Sequence, residues 1–368
     1  MVDTKVLVLG GCGFVGRSLV AYLIENDLVS KVRVADKIPP QTAWFNEHHK
    51  KVFADSRVEF TQANLLNPAH VDKAFALEDG AFDYVVNCGS GIRYGQTDEV
   101  YNESIYQYTL NCAKKAAGLN VKKFIELSSG QIYSSDKKAS DEGSKTSPWT
   151  LTAKYKLKAD QELKKIDGLQ YIILRPAITY GVGDADGLTP RLIVGAVYKQ
   201  LGEKMKLLWS KDLKMSTVHV KDVARAVWFL CTNGQPGEVY NLADKNESTQ
   251  GSISDLVCQI FQIEYDFFGS VISNMARLNM TGMVEDSNDK HLAPWSEACT
   301  RDSISNTPLS PYLDQELLYN NNLHIDGSKI EKLGFTYEHP KITVDSLKEV
   351  VDDYVTLGVF PPSLSHNK

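Results

Sequence analysis

The sequence has no apolar run that approaches the roughly 18 residues that a membrane-spanning helix requires. It also shows no signal or transit peptide, because "KVLVLGG" begins a strand within a few residues of Met1. Positive charge is not in excess, since the formal net charge is −6 and the isoelectric point is near 5.8. These absences argue against a membrane span, and against nucleic acid or anionic lipid as the main partner.

Paired cysteines are absent as well. The six cysteines are scattered through 368 residues without a CxxC motif, and no metal-ligand spacing appears. In a chain of this length such cysteines are expected to be reduced thiols that fill the core. The sequence therefore predicts a cytoplasmic protein with no metal.

What the sequence does contain is a regular alternation of strands and helices. Apolar strands are predicted at Lys5–Leu9, Lys31–Ala35, Val58–Phe60, 82–89, 122–129 and 169–176, with helical patterns between them. Such an alternation indicates a parallel sheet that is covered by helices on both faces. The predicted fold class is α/β, a doubly wound parallel sheet of the Rossmann type with a smaller C-terminal substrate lobe.

The alternation weakens after Gly181, which suggests two domains. We predict a dinucleotide-binding core over residues 1–180, to which residues 215–245 return, and a substrate lobe over most of 181–368. Residues 270–322 are rich in Ser, Asn, Asp and Pro and show little periodicity. We therefore expect an irregular insertion or lid there.

A glycine-rich loop follows the first strand in "VLVLGGCGFVGRSLVAYL". Gly10, Gly13 and Gly16 permit a tight turn, a close approach to a pyrophosphate, and packing of the helix on the strand. Asp36 follows Gly16 by 20 residues, at the end of the second strand, where a carboxylate accepts from the ribose hydroxyls and repels a 2′-phosphate. The predicted cofactor is NAD. NADP is less favoured because of the Asp36 carboxylate, although the adjacent Lys37 keeps NADP open as an alternative.

Further motifs follow in order: "QANLLN", "VVNCGS", "VKKFIELSSGQIY", "LRPAITYGVGD", "VHVKDVARA", "GEVYNLAD" and "HIDGSKIEKLGF". With them, nearly the whole chain resembles the extended short-chain dehydrogenase/reductases, which include nucleotide-sugar epimerases, dehydratases and 3β-hydroxysteroid dehydrogenases. The resemblance implies a small-molecule substrate and a possible homodimer. The cofactor-binding residues that it implies are Gly10, Gly13, Phe14, Val15, Gly16, Asp36, Asn64, Leu65, Cys88, Gly89, Ser128, Lys156 and Pro176.

This family carries a catalytic Y-x-x-x-K motif at the start of a helix. The segment "KLKAD" fits the family pattern after the lysine, so Lys156 takes the lysine position and Thr152 the tyrosine position. The "YSSDK" segment at 133–137 matches Y-x-x-x-K, but its polar middle indicates a loop. The family's hydroxyl donor to the substrate aligns with Gly130, and its asparagine aligns with Ile105. The catalytic tyrosine is thus replaced, and threonine is too weak an acid to inherit its role.

Two hypotheses remain. The first is an atypical NAD-dependent oxidoreductase, epimerase or dehydratase; Tyr133 is then a candidate acid–base group, and Tyr94, Gln131 and Tyr180 are candidate substrate residues. The second is a catalytically inactive dinucleotide-binding sensor or complex subunit. The substrate is open among small carbonyl, sterol-like and sugar compounds, because Met215 replaces the arginine that grips phosphate in nucleotide-sugar members.

Overall fold

A computed structural model of the protein describes residues 3–366, apart from 79, 92 and 134–137. Seven parallel strands form the main sheet, in the spatial order β10-β6-β5-β4-β1-β2-β3. They are β1 Lys5–Leu9, β2 Lys31–Asp36, β3 Val58–Gln62, β4 Tyr84–Asn87, β5 Lys123–Leu127, β6 Tyr171–Pro176 and β10 Val239–Leu242. The strands predicted in the first 176 residues are all present, and the late strand β10 extends the sheet beside β6.

Helices cover both faces of this sheet. All α-helices of the described residues, including those of the C-terminal part, are in chain order α1 Phe14–Glu25, α2 Glu47–Phe53, α3 Pro68–Phe75, α4 Asp98–Tyr101, α5 Tyr108–Gly118, α6 Leu151–Leu163, α7 Thr189–Leu201, α8 Val220–Asn233, α9 Gln250–Phe261, α10 Ser270–Leu278, α11 Met280–Arg301, α12 Ser328–Glu331 and α13 Val344–Thr356. Helices α1 and α8 share one buried apolar cluster with the sheet, while α3, α5 and the end of α6 share another. The doubly wound Rossmann fold predicted from the sequence is confirmed.

The remaining elements form a further apolar cluster, separate from the two that contact the sheet. Helices α7, α9, α11 and α13 contribute most of its buried side chains. Two short parallel sheets flank it, one of β8 Met205–Leu207 with β11 Tyr265–Phe267 and one of β7 Ile178–Tyr180 with β9 Thr217–His219. Within the described residues, no helix is long and apolar enough to cross a membrane.

The prediction of an irregular insertion over residues 270–322 is wrong for its first part. Residues 270–301 form α10 and the 22-residue helix α11. The buried face of α11 has helical spacing, at Val284, Asn288, His291, Trp295 and Ala298. Two of these five side chains are polar, so the apolar periodicity that predicts a helix is hidden in the sequence.

Candidate cofactor and active site

A cavity of about 1250 Å³ lies at the carboxyl ends of the sheet strands. It opens where the strand order reverses, between β1 and β4, which is where open α/β sheets bind ligands. The predicted residues that line it are Gly10, Gly13, Phe14, Val15, Asp36, Asn64, Leu65, Cys88, Gly89, Ser128, Lys156, Pro176, Tyr94, Gln131 and Thr152. Sequence reasoning thus located most of one continuous site.

The glycine loop at one end of the cavity has the geometry that a pyrophosphate requires. Gly10 has φ +69°, and a Cβ there would lie 2.4 Å from the Cα of Gly89 on the neighbouring strand loop. Gly13 is the N-cap of α1, so the positive end of the helix dipole faces the cavity. Gly16 does not line the cavity, because it supports the loop from beneath: its Cβ would lie 2.4 Å from the carbonyl oxygen of Gly10.

Asp36 lies at the end of β2, on the wall of the cavity. Its Oδ2 accepts a hydrogen bond from the backbone N–H of Cys12 at 3.0 Å, and its Oδ1 accepts one from Ile38 at 3.0 Å. Burial nevertheless raises the pKa of Asp36 above its ordinary value, although these bonds and nearby Lys37 oppose the change. The carboxyl group is thus held at the cavity wall by two backbone N–H groups.

Lys156 lines the cavity, but its ammonium group already has a protein partner. Its Nζ lies 3.1 Å from Oε1 of Glu126 and also donates to the carbonyl oxygen of Leu127. The other oxygen of Glu126 accepts from Asn87 at 2.6 Å. Burial raises the pKa of Glu126 to about 7, against the opposing influence of Lys156. Sequence reasoning missed Glu126; the glutamate within the apolar strand "KFIEL" is the signal that could have revealed it.

Of the two serines that follow β5, only one has a hydroxyl available to a ligand. Ser128 donates to Oδ2 of Asp160 at 2.9 Å, and that carboxylate also pairs with Arg175 at 2.9 Å. Ser129 lines the cavity, and its Oγ accepts from the backbone N–H of Gln131. Gly130, which aligned with the family's hydroxyl donor, does not line the cavity. The cavity hydroxyl near this position therefore belongs to Ser129.

Two of the predicted tyrosines lie outside the cavity. Tyr133 is 1% exposed; its hydroxyl donates to Asn241 and accepts from Arg175, so it belongs to a structural network. Tyr180 is fully buried, with its ring packed edge-on against His219. The assignment of Tyr133 to acid–base chemistry and of Tyr180 to the substrate is corrected accordingly. The remainder of the "YSSDK" motif, residues 134–137, lies outside the described residues.

The other two candidate substrate residues do meet at the cavity wall. Burial raises the pKa of Tyr94 to about 12, and a hydrogen bond with the side chain of Gln131 partly opposes the shift. Gln131 also accepts from Thr150 Oγ1 at 3.1 Å, and Thr150 is the N-cap of α6. Tyr94 and Gln131 therefore adjoin Thr152, which stands at the family's tyrosine position. The Thr152 hydroxyl is buried, and among the described residues it makes no hydrogen bond of normal geometry, although it interacts with the phenol of Tyr101.

Two charged residues that the sequence did not reveal also line the cavity. Arg191, in the first turn of α7, places Nη2 at 3.3 Å from the sulfur of Met215. Glu316, in a short 3₁₀ helix at Gln315–Leu318, accepts a hydrogen bond from the backbone N–H of Leu151 at 2.8 Å. Neither belongs to a recognisable motif, and each reaches the cavity from a segment distant in sequence.

The fold, the glycine loop and the Asp36 carboxylate on the cavity wall are typical of a dinucleotide-binding α/β protein. The chain belongs to the NAD dependent epimerase/dehydratase family, whose model matches residues 6–243. It is 23% identical over 283 residues to the dTDP-glucose 4,6-dehydratase of Haemophilus influenzae, covering 70% of this chain and 80% of that protein. It is 25% identical over 282 residues to dTDP-glucose 4,6-dehydratase 1 of Escherichia coli K12, covering 70% and 76%.

Solved structures resemble the chain over nearly its full length. The dTDP-glucose 4,6-dehydratase DesIV of Streptomyces venezuelae, with NAD and TYD bound, superposes with a TM-score of 0.71 at 18% identity, covering 96% of this chain and 97% of that one. A UDP-N-acetylglucosamine 4-epimerase of Methanobrevibacter ruminantium, in complex with UDP-N-acetylmuramic acid, gives 0.69 at 17% identity, covering 97% and 99%. These likenesses establish that the C-terminal elements also follow the fold of such enzymes.

Proposed function

We propose that the protein is an NAD-dependent enzyme that acts on a nucleotide-linked sugar and binds its phosphates through Arg191. NAD would be held by the Gly10–Gly16 loop and by Asp36, and when bound it supplies hydride transfer. The observation that carries the proposal is the position of Arg191. Its guanidinium contacts the sulfur of Met215, the residue that stands where nucleotide-sugar members have their phosphate-binding arginine.

Arg191 has no ion-pair partner within the described part of the chain. Burial lowers its pKa to about 10, and no neighbouring charge opposes that change. A desolvated guanidinium without a counter-ion is costly, and a bound anion would remove that cost. Its planar donors match phosphate oxygens in pairs, which makes a diphosphate a suitable ligand. The loss of arginine at position 215 is therefore compensated from α7.

Calorimetry of NAD-loaded protein with UDP and UDP-glucose tests this proposal. Arg191→Gln should weaken UDP binding at least about tenfold, as expected when a charged hydrogen bond is lost. Lys290→Gln is the matched control, because Lys290 lines the same cavity but is already paired with Glu203 at 2.5 Å. Equal affinities for UDP in the wild type and Arg191→Gln would contradict the phosphate-binding role.

A dinucleotide-binding sensor without catalysis is the second candidate. It is favoured by Thr152 at the tyrosine position and by the engagement of Lys156 with Glu126. Such a protein would bind NAD with normal affinity and convert no nucleotide sugar. Incubation with NAD and UDP- or dTDP-sugars, followed by mass spectrometry of the products, distinguishes the two candidates.

We also propose a homodimer that uses the outer surfaces of α5 and α6, by analogy with the family. The two helices pack against each other, and a cation–π contact joins Lys158 Nζ to the Tyr106 ring at 3.9 Å. Ala113 is fully buried within the protomer, and Leu157 packs against its core, so neither is free for a partner. Light scattering at micromolar concentration should give twice the mass of 41.0 kDa; a monomer would contradict the proposal.

A further inference from the structure

Glu316 brings a carboxyl group from the C-terminal part of the chain to the first turn of α6. Its Oε1 accepts from the backbone N–H of Leu151 at 2.8 Å, across 165 positions of sequence. Its own backbone N–H donates to Oδ1 of Asp314 at 2.8 Å, which fixes the short helix that carries it. The residue is only 7% exposed and lines the cavity. The carboxyl is thus held in a defined position.

The second oxygen of this carboxyl lacks a partner. Among the described residues, Glu316 Oε2 is buried and makes no hydrogen bond. The buried hydroxyl of Thr152, the residue after Leu151, also makes no hydrogen bond of normal geometry there, although it interacts with the phenol of Tyr101. Buried polar atoms are rarely left unpaired, and each one calls for an explanation such as a missing ligand group. Both atoms occur near the first turn of α6, where the family carries its acid–base tyrosine, and polar groups of a substrate would satisfy them.

The surroundings of Glu316 favour its protonated form. Burial raises its pKa above the ordinary value, the charge of Asp314 adds to the effect, and the hydrogen bond from Leu151 opposes it. Glu316 and Tyr94 both line the cavity, and the charge of Glu316 contributes to the raised pKa of Tyr94. A general acid or base is most effective when its pKa lies close to the working pH.

We propose that Glu316 is the acid–base residue of this site, in place of the tyrosine that the family carries at position 152. The inference rests on the proposed NAD-dependent function. When a substrate hydroxyl is oxidised, its O–H proton would pass to the Glu316 carboxylate, while oxidised NAD, held by the Gly10–Gly16 loop and Asp36, would supply the acceptor for the hydride from the adjacent C–H bond. In the reverse direction Glu316 returns the proton to the carbonyl oxygen.

The variant Glu316→Gln tests the proposal, because the amide oxygen can still accept from Leu151 and preserve the fold. Affinities for NAD and UDP should stay within about threefold of the wild type. Conversion of UDP- or dTDP-glucose should fall at least about a hundredfold, and the acid limb of the kcat/KM profile should disappear. The matched control is Asp286→Asn, which removes an exposed carboxyl from the same cavity and should keep both turnover and profile. Turnover retained in Glu316→Gln would overturn the proposal.

Infrared difference spectra between the wild type and Glu316→Gln provide a measurement that does not need turnover. A carboxyl band assigned to Glu316 should convert between its protonated and ionised forms over the pH range of the acid limb in the NAD complex, and it should shift when UDP-glucose is added. A Glu316 band that does not respond to UDP-glucose would overturn the assignment. Failure of UDP to bind the wild type would instead refute the proposed function, and the infrared band would still decide the state of Glu316.

Discussion

Lys156 and Glu126 form a buried ion pair directly behind the candidate active site. Their Nζ and Oε1 atoms are 3.1 Å apart, and the side chains are 5% and 0% exposed. Such a pair is costly to bury, but removing one partner costs more because it leaves the other charge uncompensated. The lysine that the sequence assigned to the cofactor is therefore also part of the folded core, and its replacement should affect stability as well as binding.

Lys156→Met should destabilise the protein by about 3–5 kcal/mol at pH 8, where Glu126 is ionised and would lose its counter-charge. Burial raises the pKa of Glu126 from 4.5 to about 7, so at pH 5 the folded protein holds a neutral carboxyl and the loss should be smaller. Urea unfolding of both proteins at the two pH values measures the difference.

The pH dependence of stability follows from the difference in the pKa of Glu126 between the folded and unfolded states. Because the folded protein binds the Glu126 proton more tightly than the unfolded chain, this group stabilises the fold most at low pH, and its contribution declines as pH rises from 4.5 to about 7. Lys165→Met is the control, since Lys165 forms an exposed pair with Glu162 and its replacement should leave stability nearly unchanged. An equal effect of the two variants at pH 8 would contradict the account.

The glycine loop allows a second prediction. Gly16→Ala would bring a Cβ to 2.4 Å from the Gly10 carbonyl oxygen, so the loop must shift. We expect a loss of stability of about 1–3 kcal/mol, as in other overpacked sites, and weaker NAD binding. Gly118→Ala is the control, because nothing lies within 4 Å of its added Cβ and alanine favours the helix end. Thermal denaturation and NAD calorimetry on both variants provide the test.

Asp36 should determine the choice between NAD and NADP. Its carboxylate is fixed at the cavity wall by the N–H groups of Cys12 and Ile38. Asp36→Ala should weaken NAD binding by about 1–3 kcal/mol, the cost of losing hydrogen bonds to a charged acceptor. The variant should also reduce the preference over NADP, because the repulsion of a 2′-phosphate is removed. Calorimetry with both cofactors measures this; tighter binding of NADP by the wild type would contradict it.

The parts of the site that could be predicted are those that a short stretch of sequence encodes. The glycine loop and Asp36 lie within one strand–helix–strand unit, where strand direction fixes the geometry. Glu316 could not be found in this way, because its contact with Leu151 spans 165 positions and depends on how the C-terminal segment packs. Arg191 was equally hidden, since only the fold brings α7 against Met215.

The same limit explains the errors with aromatic residues. Tyr133 and Tyr180 stood near the expected site in sequence, but Tyr133 follows a 3₁₀ turn at Gly130–Ile132 and Tyr180 ends β7, and neither element directs the tyrosine to the cavity. Each side chain points into the core, and neither lines the cavity. Proximity along the chain therefore identified the correct segments but not the side chains that reach the ligand. Burial, which only the folded structure shows, was the missing information.

The final prediction concerns Thr152, which stands at the family's tyrosine position, and asks whether its hydroxyl stabilises the fold. Its buried hydroxyl interacts with the phenol of Tyr101 but makes no hydrogen bond of normal geometry with any described residue. Thr152→Val should therefore raise the free energy of unfolding by up to about 1 kcal/mol. Thr109→Val is the matched control: the Thr109 hydroxyl is equally buried but accepts from Asn87 at 3.2 Å, so its loss should destabilise the fold by about 1–2 kcal/mol. Urea unfolding without ligands compares the two. If Thr152→Val is as destabilising as Thr109→Val, the hydroxyl has a protein partner, and the unpaired atoms at the start of α6 no longer indicate a substrate group.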